Sequence, residues 1–196
     1  MSLELSLAKQ NKTKTYGITS GFFNPLHSGH LALIEEARSM CDELIVIVNN
    51  DLQVELKGSQ PFMTADERAK IVIALKSVDK VVIAIDKNKT VSKTIDAVAV
   101  QISKWGLLNS IFGESSIPNI LFCKGGDRKD NSCMPQSELE VCHKYGIEVV
   151  YGVGGFDKKN SSSKILQQVP LFKIPEESGD MVCCIHCGAR KTGNIR

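Results

Sequence analysis

With 196 residues, 42% of them hydrophobic and 23% charged, the chain has material for one α/β domain and is short for two. Its 24 basic and 22 acidic residues leave a net charge of +2, too little for the strong field that a nucleic-acid backbone or an anionic membrane attracts, yet no obstacle to a phosphate pocket, which needs only a few local cations. No apolar run approaches the ~20 residues of a membrane span, and Met1 to Lys14 lacks the apolar stretch of a signal peptide. The seven cysteines are an odd number, four of them scattered through ordinary segments, which suits a reducing cytoplasm better than a disulfide framework.

Residues 1–14 read as a flexible leader. Tyr16 to Ser20 begins a first strand, followed by a glycine-bearing loop from Gly21 to Ser28. Leu31, Leu33, Ile34, Ala37 and Met40 recur at helical spacing, and Leu44 to Val48 is the continuous apolar run of a strand covered on both faces. Residues 50–62 read as a polar connection. Thr64 with Glu67 three residues on forms a capping-box pattern, predicting a helix to Leu75. Val81 to Ile85 is a third strand, Thr90 to Trp105 a helix, and Gly106 to Pro118 an irregular segment.

Ile120 to Cys123 is a fourth strand ending in Lys124-Gly125-Gly126-Asp127. Pro135 to Tyr145 is a helix stopped by Gly146, and Ile147 to Tyr151 is a fifth strand. A last helix runs from Ser161 to Gln168. Alternating helices and wholly apolar strands predict a Rossmann-like, doubly wound parallel sheet of five strands, with a domain over 15–169 and an extension over 170–196. Ligands of such sheets bind beyond the carboxyl ends of the strands, where strand order reverses. That directs attention to Gly21–His30 and Lys124–Asp127.

The first of these segments reads Gly21-Phe22-Phe23-Asn24-Pro25-Leu26-His27-Ser28-Gly29-His30. A spacing of three sets both imidazoles on one side of a helix start, where free N–H groups and the helix dipole favour an anion. Gly29 leaves room for a phosphate to approach the backbone. Half of the chain's four histidines fall in this turn. Nucleotidyl transfer needs such a site: a phosphate nucleophile is already ionised, and the barrier is the charge that builds up as pyrophosphate leaves in line. His27 and His30 are assigned to stabilising that charge.

The motif Gly-x-Phe-x-x-x-His-x-Gly-His after a first strand resembles the signature of the HxGH nucleotidylyltransferase superfamily. The likeness continues through Val48-Asn49-Asn50-Asp51, Leu56-Lys57-Gly58 and Pro61, the helix from Asp66-Glu67-Arg68 to Leu75, Lys124-Gly125-Gly126-Asp127, and Ser161-Ser162-Ser163-Lys164-Ile165. It leans toward the adenylyltransferase domain of the heptose-phosphate enzymes and toward glycerol-3-phosphate cytidylyltransferase. The resemblance implies strand order 3-2-1-4-5 and transfer of a nucleoside monophosphate from ATP or CTP to a sugar- or polyol-phosphate, with Mg2+ carried by the triphosphate. It gives Lys57 the role of reaching the triphosphate, beside catalytic His27 and His30. It places Gly21, Phe22, Phe23, Gly29, Lys124, Gly125, Asp127, Ser161, Ser162 and Ser163 around the nucleotide, and it adds Asn24 and Arg68 as further site residues. A homodimer is open by the same analogy.

Some features depart from that pattern. Asn24 stands where Asp is frequent, and Asn24-Pro25 is closer to the nicotinamide-mononucleotide type. Gln60 stands where Arg commonly precedes the proline, and the final helix opens with three serines. A nicotinamide-mononucleotide or pantetheine-phosphate type adenylyltransferase is thus a second reading of the acceptor. A non-catalytic nucleotide-binding module is a reading of another class. A class I tRNA synthetase fragment also carries His-x-Gly-His, but the chain is short for it and has no basic RNA-binding extension. In the tail, Cys184-x-x-Cys187 is half of a zinc-site spacing; an ordinary extension is expected there rather than a metal site.

Overall fold

Runs of Ile, Val and Leu lie side by side as parallel strands: β1 (Thr15–Gly21), β2 (Glu43–Val48), β3 (Lys80–Ile83), β4 (Asn119–Gly125) and β5 (Glu148–Val153), in the order β3-β2-β1-β4-β5. These elements come from a computed structural model that describes residues 13–111, 117–125 and 130–155. The expected Rossmann-like architecture and strand order are both present. Successive residues of β2 face opposite ways. Ile45 and Ile47 pack with Ile95, Ala99 and Ile102 of α4 (Ser92–Ile111) and Cys142 of α5 (Gln136–Tyr145). Leu44, Val46 and Val48 pack with Leu33, Ile34 and Ala37 of α1 (Ser28–Ser39) and Val72 of α3 (Ala65–Ile73). Each such fully buried aliphatic side chain contributes roughly 1.5–3 kcal/mol.

Helices change face between the β1–β2–β3 half and the β4–β5 half, so the switch point lies between β1 and β4. Register brings the strand exits to one edge. Gly21 pairs with Val48, and Thr19 pairs with Cys123, so Lys124 leaves β4 level with the last residues of β1.

Several local expectations hold, and others are revised. Thr64 caps α3 in a capping box with Glu67, and Gly146 ends α5 in the left-handed conformation. The connection over 50–62 contains a helix, α2 (Asp51–Leu56). Asn50 starts it: its side chain accepts from Gln53 N–H while the Gln53 side chain accepts from Asn50 N–H, a second capping box. α2 ends in a Schellman closure. Ser59 N–H donates to Val54 O, Gly58 N–H donates to Glu55 O, and Gly58 supplies the required positive φ of 83°. Helix α4 also runs on through Ile111, into the segment expected to be irregular.

β1 begins directly after the expected leader, and Lys14 of that leader already pairs with Glu43 at 2.8 Å. The final helix at 161–168, the 169/170 boundary and most of the leader lie outside the described residues. Among the described residues no helix is long and apolar enough to cross a membrane. Cys41, Cys123, Cys133 and Cys142 are free thiols, and burial pushes the Cys123 thiol up to about 12 and that of Cys142 up to about 11. Both therefore stay protonated and act as small apolar groups.

Asn50 also joins β2 to β3, because its Nδ2 donates to Ala84 O and to Asp86 O, each at 2.8 Å. Asn50→Ala removes one cap and leaves two carbonyls without this donor. The expected loss is about 2–3 kcal/mol, read as a lower urea midpoint at unchanged slope.

Candidate active site

The turn after β1 is built around a ring that occupies the space a side chain would fill. A Cβ on Gly21 would stand 2.8 Å from Phe23 Cζ, so only glycine lets the Phe23 ring fold back there. Phe23 takes φ 49°, a left-handed conformation that costs a bulky residue on the order of 1–3 kcal/mol. Burial holds it: the ring is 1% exposed in the core formed with Leu33 and Ile34. Its centroid lies 4.8 Å from that of His30. Phe23 therefore supports His30 from inside and does not present its ring to a ligand.

His27 is the N-cap of α1, and its Nδ1 accepts from Gly29 N–H at 3.2 Å. A neutral ring in that position carries its proton on Nε2. His30 stacks on it, with centroids 3.8 Å apart and planes at 25°. The Nδ1 of His30 is buried and has no hydrogen-bond partner among the described residues. Burial, and then electrostatic interaction with His27 and Lys57, hold the His30 ring down to about 3 from its ordinary 6.5. At neutral pH His30 is an uncharged imidazole at a helix N-terminus.

Lys57 caps the C-terminal end of α2 and is exposed. Its Nζ lies 4.4 Å from the centroid of the Phe22 ring, and its charge is felt at His30. The three residues assigned to catalysis are thus brought to the β1 exit, with Phe22 beneath the lysine.

Arg68 does not sit on the surface. It is 1% exposed and reaches from α3 under the strand exits. Nη1 donates to Phe22 O at 2.6 Å and to Asn49 O at 2.7 Å, Nε donates to Met63 O at 3.1 Å, and Nη2 pairs with Asp51 at 2.5 Å. Asn24 is 3% exposed. Its Nδ2 donates to Gln60 O at 2.9 Å, and its Oδ1 accepts from Phe62 N–H at 2.7 Å.

Lys124 is the penultimate residue of β4 and turns inward. Its amino group pairs with Glu138 at 2.9 Å, both side chains being nearly buried, and lies 3.9 Å from the Phe122 ring centroid. Glu138 also accepts from Val91 N–H at 3.0 Å. The pair therefore ties the β4 exit to α5 and to the start of α4, and Lys124 is not aimed at the histidines. Gly125 is the last residue of β4 and pairs with Val153. Asp127, Ser161, Ser162, Ser163, Cys184 and Cys187 lie outside the described residues.

Sequence reasoning missed Asp51, Gln53, Asp86 and Glu138. Gln53 Nε2 donates to Asn88 O and Thr90 O, and Asp86 accepts from Lys93 N–H and Thr94 N–H. Only Gln53 had a readable signal, its capping-box spacing from Asn50. Asp51 and Glu138 act through partners 14 or more residues away, and Asp86 through Lys93 and Thr94 at the start of α4.

Residues 18–153 match the family model described as Cytidylyltransferase-like. The bifunctional protein HldE of Koribacter versatilis (strain Ellin345) is 42% identical over 83 residues, which is 41% of this chain and 17% of that protein. An FAD synthase of Thermococcus sibiricus (strain DSM 12597 / MM 739) is 45% identical over 73 residues, 37% of this chain and 49% of that protein. The chain thus spans less than half the length of these relatives. Among solved structures, a lipopolysaccharide core biosynthesis protein from Thermoplasma volcanium GSS1 shares the fold, with a TM-score of 0.51 and 24% identity over 70% of this chain and 93% of that one.

Two outcomes are expected from this geometry. Arg68→Lys keeps a charge but loses the fork that reaches three carbonyls at once, so stability should fall by about 2–4 kcal/mol in a urea titration. The second concerns pH. Between pH 6.5 and about 3 the unfolded His30 takes a proton that the folded ring refuses. Its contribution is therefore complete above about 6.5 and is lost as the pH falls toward 3, at no more than ~1.4 kcal/mol per pH unit. His30→Gln should flatten that part of the stability curve.

Proposed function

Because the chain belongs to the cytidylyltransferase-like family, we propose that it transfers a nucleoside monophosphate from ATP or CTP to the phosphate of a small metabolite and releases pyrophosphate. The observation that carries this reading is the His27–His30 stack at the N-terminus of α1, within reach of the Lys57 charge. Two stacked imidazoles, one with a buried ring nitrogen, offer a cradle for an anion. A phosphate there would meet ring nitrogens at a helix N-terminus and the nearby ammonium of Lys57.

The acceptor's phosphate oxygen attacks the α-phosphorus. A new P–O bond forms as the bond from the α-phosphorus to its bridging oxygen breaks, and pyrophosphate carries the electrons away. No strong base is needed, since the nucleophile is ionised at neutral pH. His27 and His30 donate to oxygens whose charge grows at the transition state, and Lys57 offsets charge on the departing β- and γ-phosphates. Phe22, Phe23, Asn24 and Arg68 hold these groups in place. Bringing an anion beside the rings raises their proton affinity, so His30 gains a firmer hold on its proton as the triphosphate docks.

Among the described residues no group of three or more His, Cys, Asp or Glu side chains is placed to hold a metal ion. The magnesium of this proposal would arrive with the triphosphate and would offset phosphate charge, a role that needs no protein cage. For the acceptor we favour a sugar- or polyol-phosphate. The FAD synthase among the relatives adds a flavin mononucleotide to the acceptors worth testing.

The test is pyrophosphate release from ATP or CTP with magnesium and a panel of sugar phosphates, glycerol phosphate, nicotinamide mononucleotide, 4′-phosphopantetheine and flavin mononucleotide. One pair should turn over. His27→Ala and His30→Ala should each lower kcat by roughly 100- to 1,000-fold, with His27→Ala also losing the α1 cap at about 1 kcal/mol. Lys57→Ala should raise KM for the triphosphate as well. A chain that binds triphosphate but releases no pyrophosphate with any acceptor would point to a non-catalytic module.

A further inference from the structure

We infer that Asn24 is a positioning residue: its carboxamide docks the Gln60–Phe62 segment across the exit of β1 and thereby sets where Lys57 stands against the histidine pair. This builds on the function proposed above, for which Lys57 serves the triphosphate.

Three consecutive residues each hold one part of the site. Phe22 lies under the Lys57 ammonium, Phe23 backs the His30 ring, and Asn24 grips the chain downstream of Lys57. The grip has the form of strand pairing. One carboxamide donates to the carbonyl of Gln60 and accepts from the N–H of Phe62, the two backbone groups that a neighbouring strand residue would satisfy. Pro61 between them has no N–H to offer.

Side-chain burial does little to hold this segment. Gly58 and Gln60 are exposed, and the Phe62 side chain is 67% exposed. Lys57 stands three residues before Gln60, at a helix end locked by the Schellman closure. Fixing Gln60 therefore leaves the lysine a span of at most ~10 Å of chain in which to move. Arg68 holds the far side of the same segment through Met63 O.

The inference explains why an amide stands here. A carboxylate has two acceptors and no donor, so it would face the Gln60 carbonyl unpaired and repelled. A protonated carboxyl has one donor and one acceptor and would restore both bonds. Burial beside a carbonyl raises the affinity of such a carboxyl for its proton above the ordinary value of ~4.

The experiment compares the full chain with Asn24→Asp and Asn24→Ala between pH 5 and 8. It follows hydrogen exchange of the Phe62 amide and the Kd of a magnesium-bound non-hydrolysable ATP or CTP analogue, each relative to the unaltered chain at the same pH. At pH 8 both variants should exchange that amide about tenfold faster and bind the analogue about tenfold more weakly. Toward pH 5 the Asn24→Asp deficit should shrink, while the Asn24→Ala deficit stays constant. Asn24→Asp matching the unaltered chain at pH 8, or tracking Asn24→Ala at every pH, overturns the inference. If Asn24→Asp does not fold at pH 8, an Asn24→Ala chain that folds yet binds the analogue normally overturns it equally. Should the unaltered chain bind no triphosphate, the functional proposal falls on that result, and Phe62 exchange alone still decides whether Asn24 is the clamp.

Discussion

A guanidinium closed off from water must have its N–H groups taken, and Arg68 directs its own to the places where the site is assembled. It binds the carbonyls of Phe22 at the β1 turn, Asn49 at the β2 exit and Met63 before α3, and it pairs with Asp51 at the start of α2. Two strand exits and two helices thus meet on one planar group. An ammonium at the same point could not reach all of these acceptors in their fixed directions. The turn that carries the histidines and the helix that carries Lys57 keep their mutual distance because both lean on it.

On that support the chemistry follows from crowding. His27 completes the α1 cap with one ring nitrogen, which fixes its ring plane. His30 is pressed between that ring and Phe23, and loses its tendency to charge. The result is an uncharged His30 ring beside the charge of Lys57, the setting in which an anion is proposed to bind. The polar network of Asn50, Gln53 and Asp86 extends the same edge to β3 and α4.

Much of this was legible from residue order. Apolar runs marked all five strands because parallel strands are covered on both faces, and Thr64-x-x-Glu67 and Gly146 marked helix ends by mechanisms confined to a few neighbouring residues. Helix α2 was hidden by its shortness: six residues hold too few apolar positions to show a period, although its Asn50-x-x-Gln53 box was there to see. The histidine pair was legible in its spacing and its place at a helix start, whereas Lys57 was singled out only through the family resemblance. It was not legible in Asn24, Arg68 or Lys124. Their roles depend on partners such as Gln60, Asn49 and Glu138, and no local pattern announces which distant carbonyl or carboxylate a buried amide or cation will meet. Phe23 was expected beside the nucleotide, and the burial of its ring against His30 likewise has no local signal.

The central claim is that one anion is held jointly by the two stacked rings and the lysine. A crystal structure of the chain with magnesium and a non-hydrolysable ATP or CTP analogue tests it most directly. The account predicts phosphate oxygens within hydrogen-bond distance of a ring nitrogen of His27 and of His30, with Lys57 Nζ on the β- or γ-phosphate. Phosphates seated elsewhere on the strand-exit edge, with His27 and His30 still stacked and untouched, would contradict it.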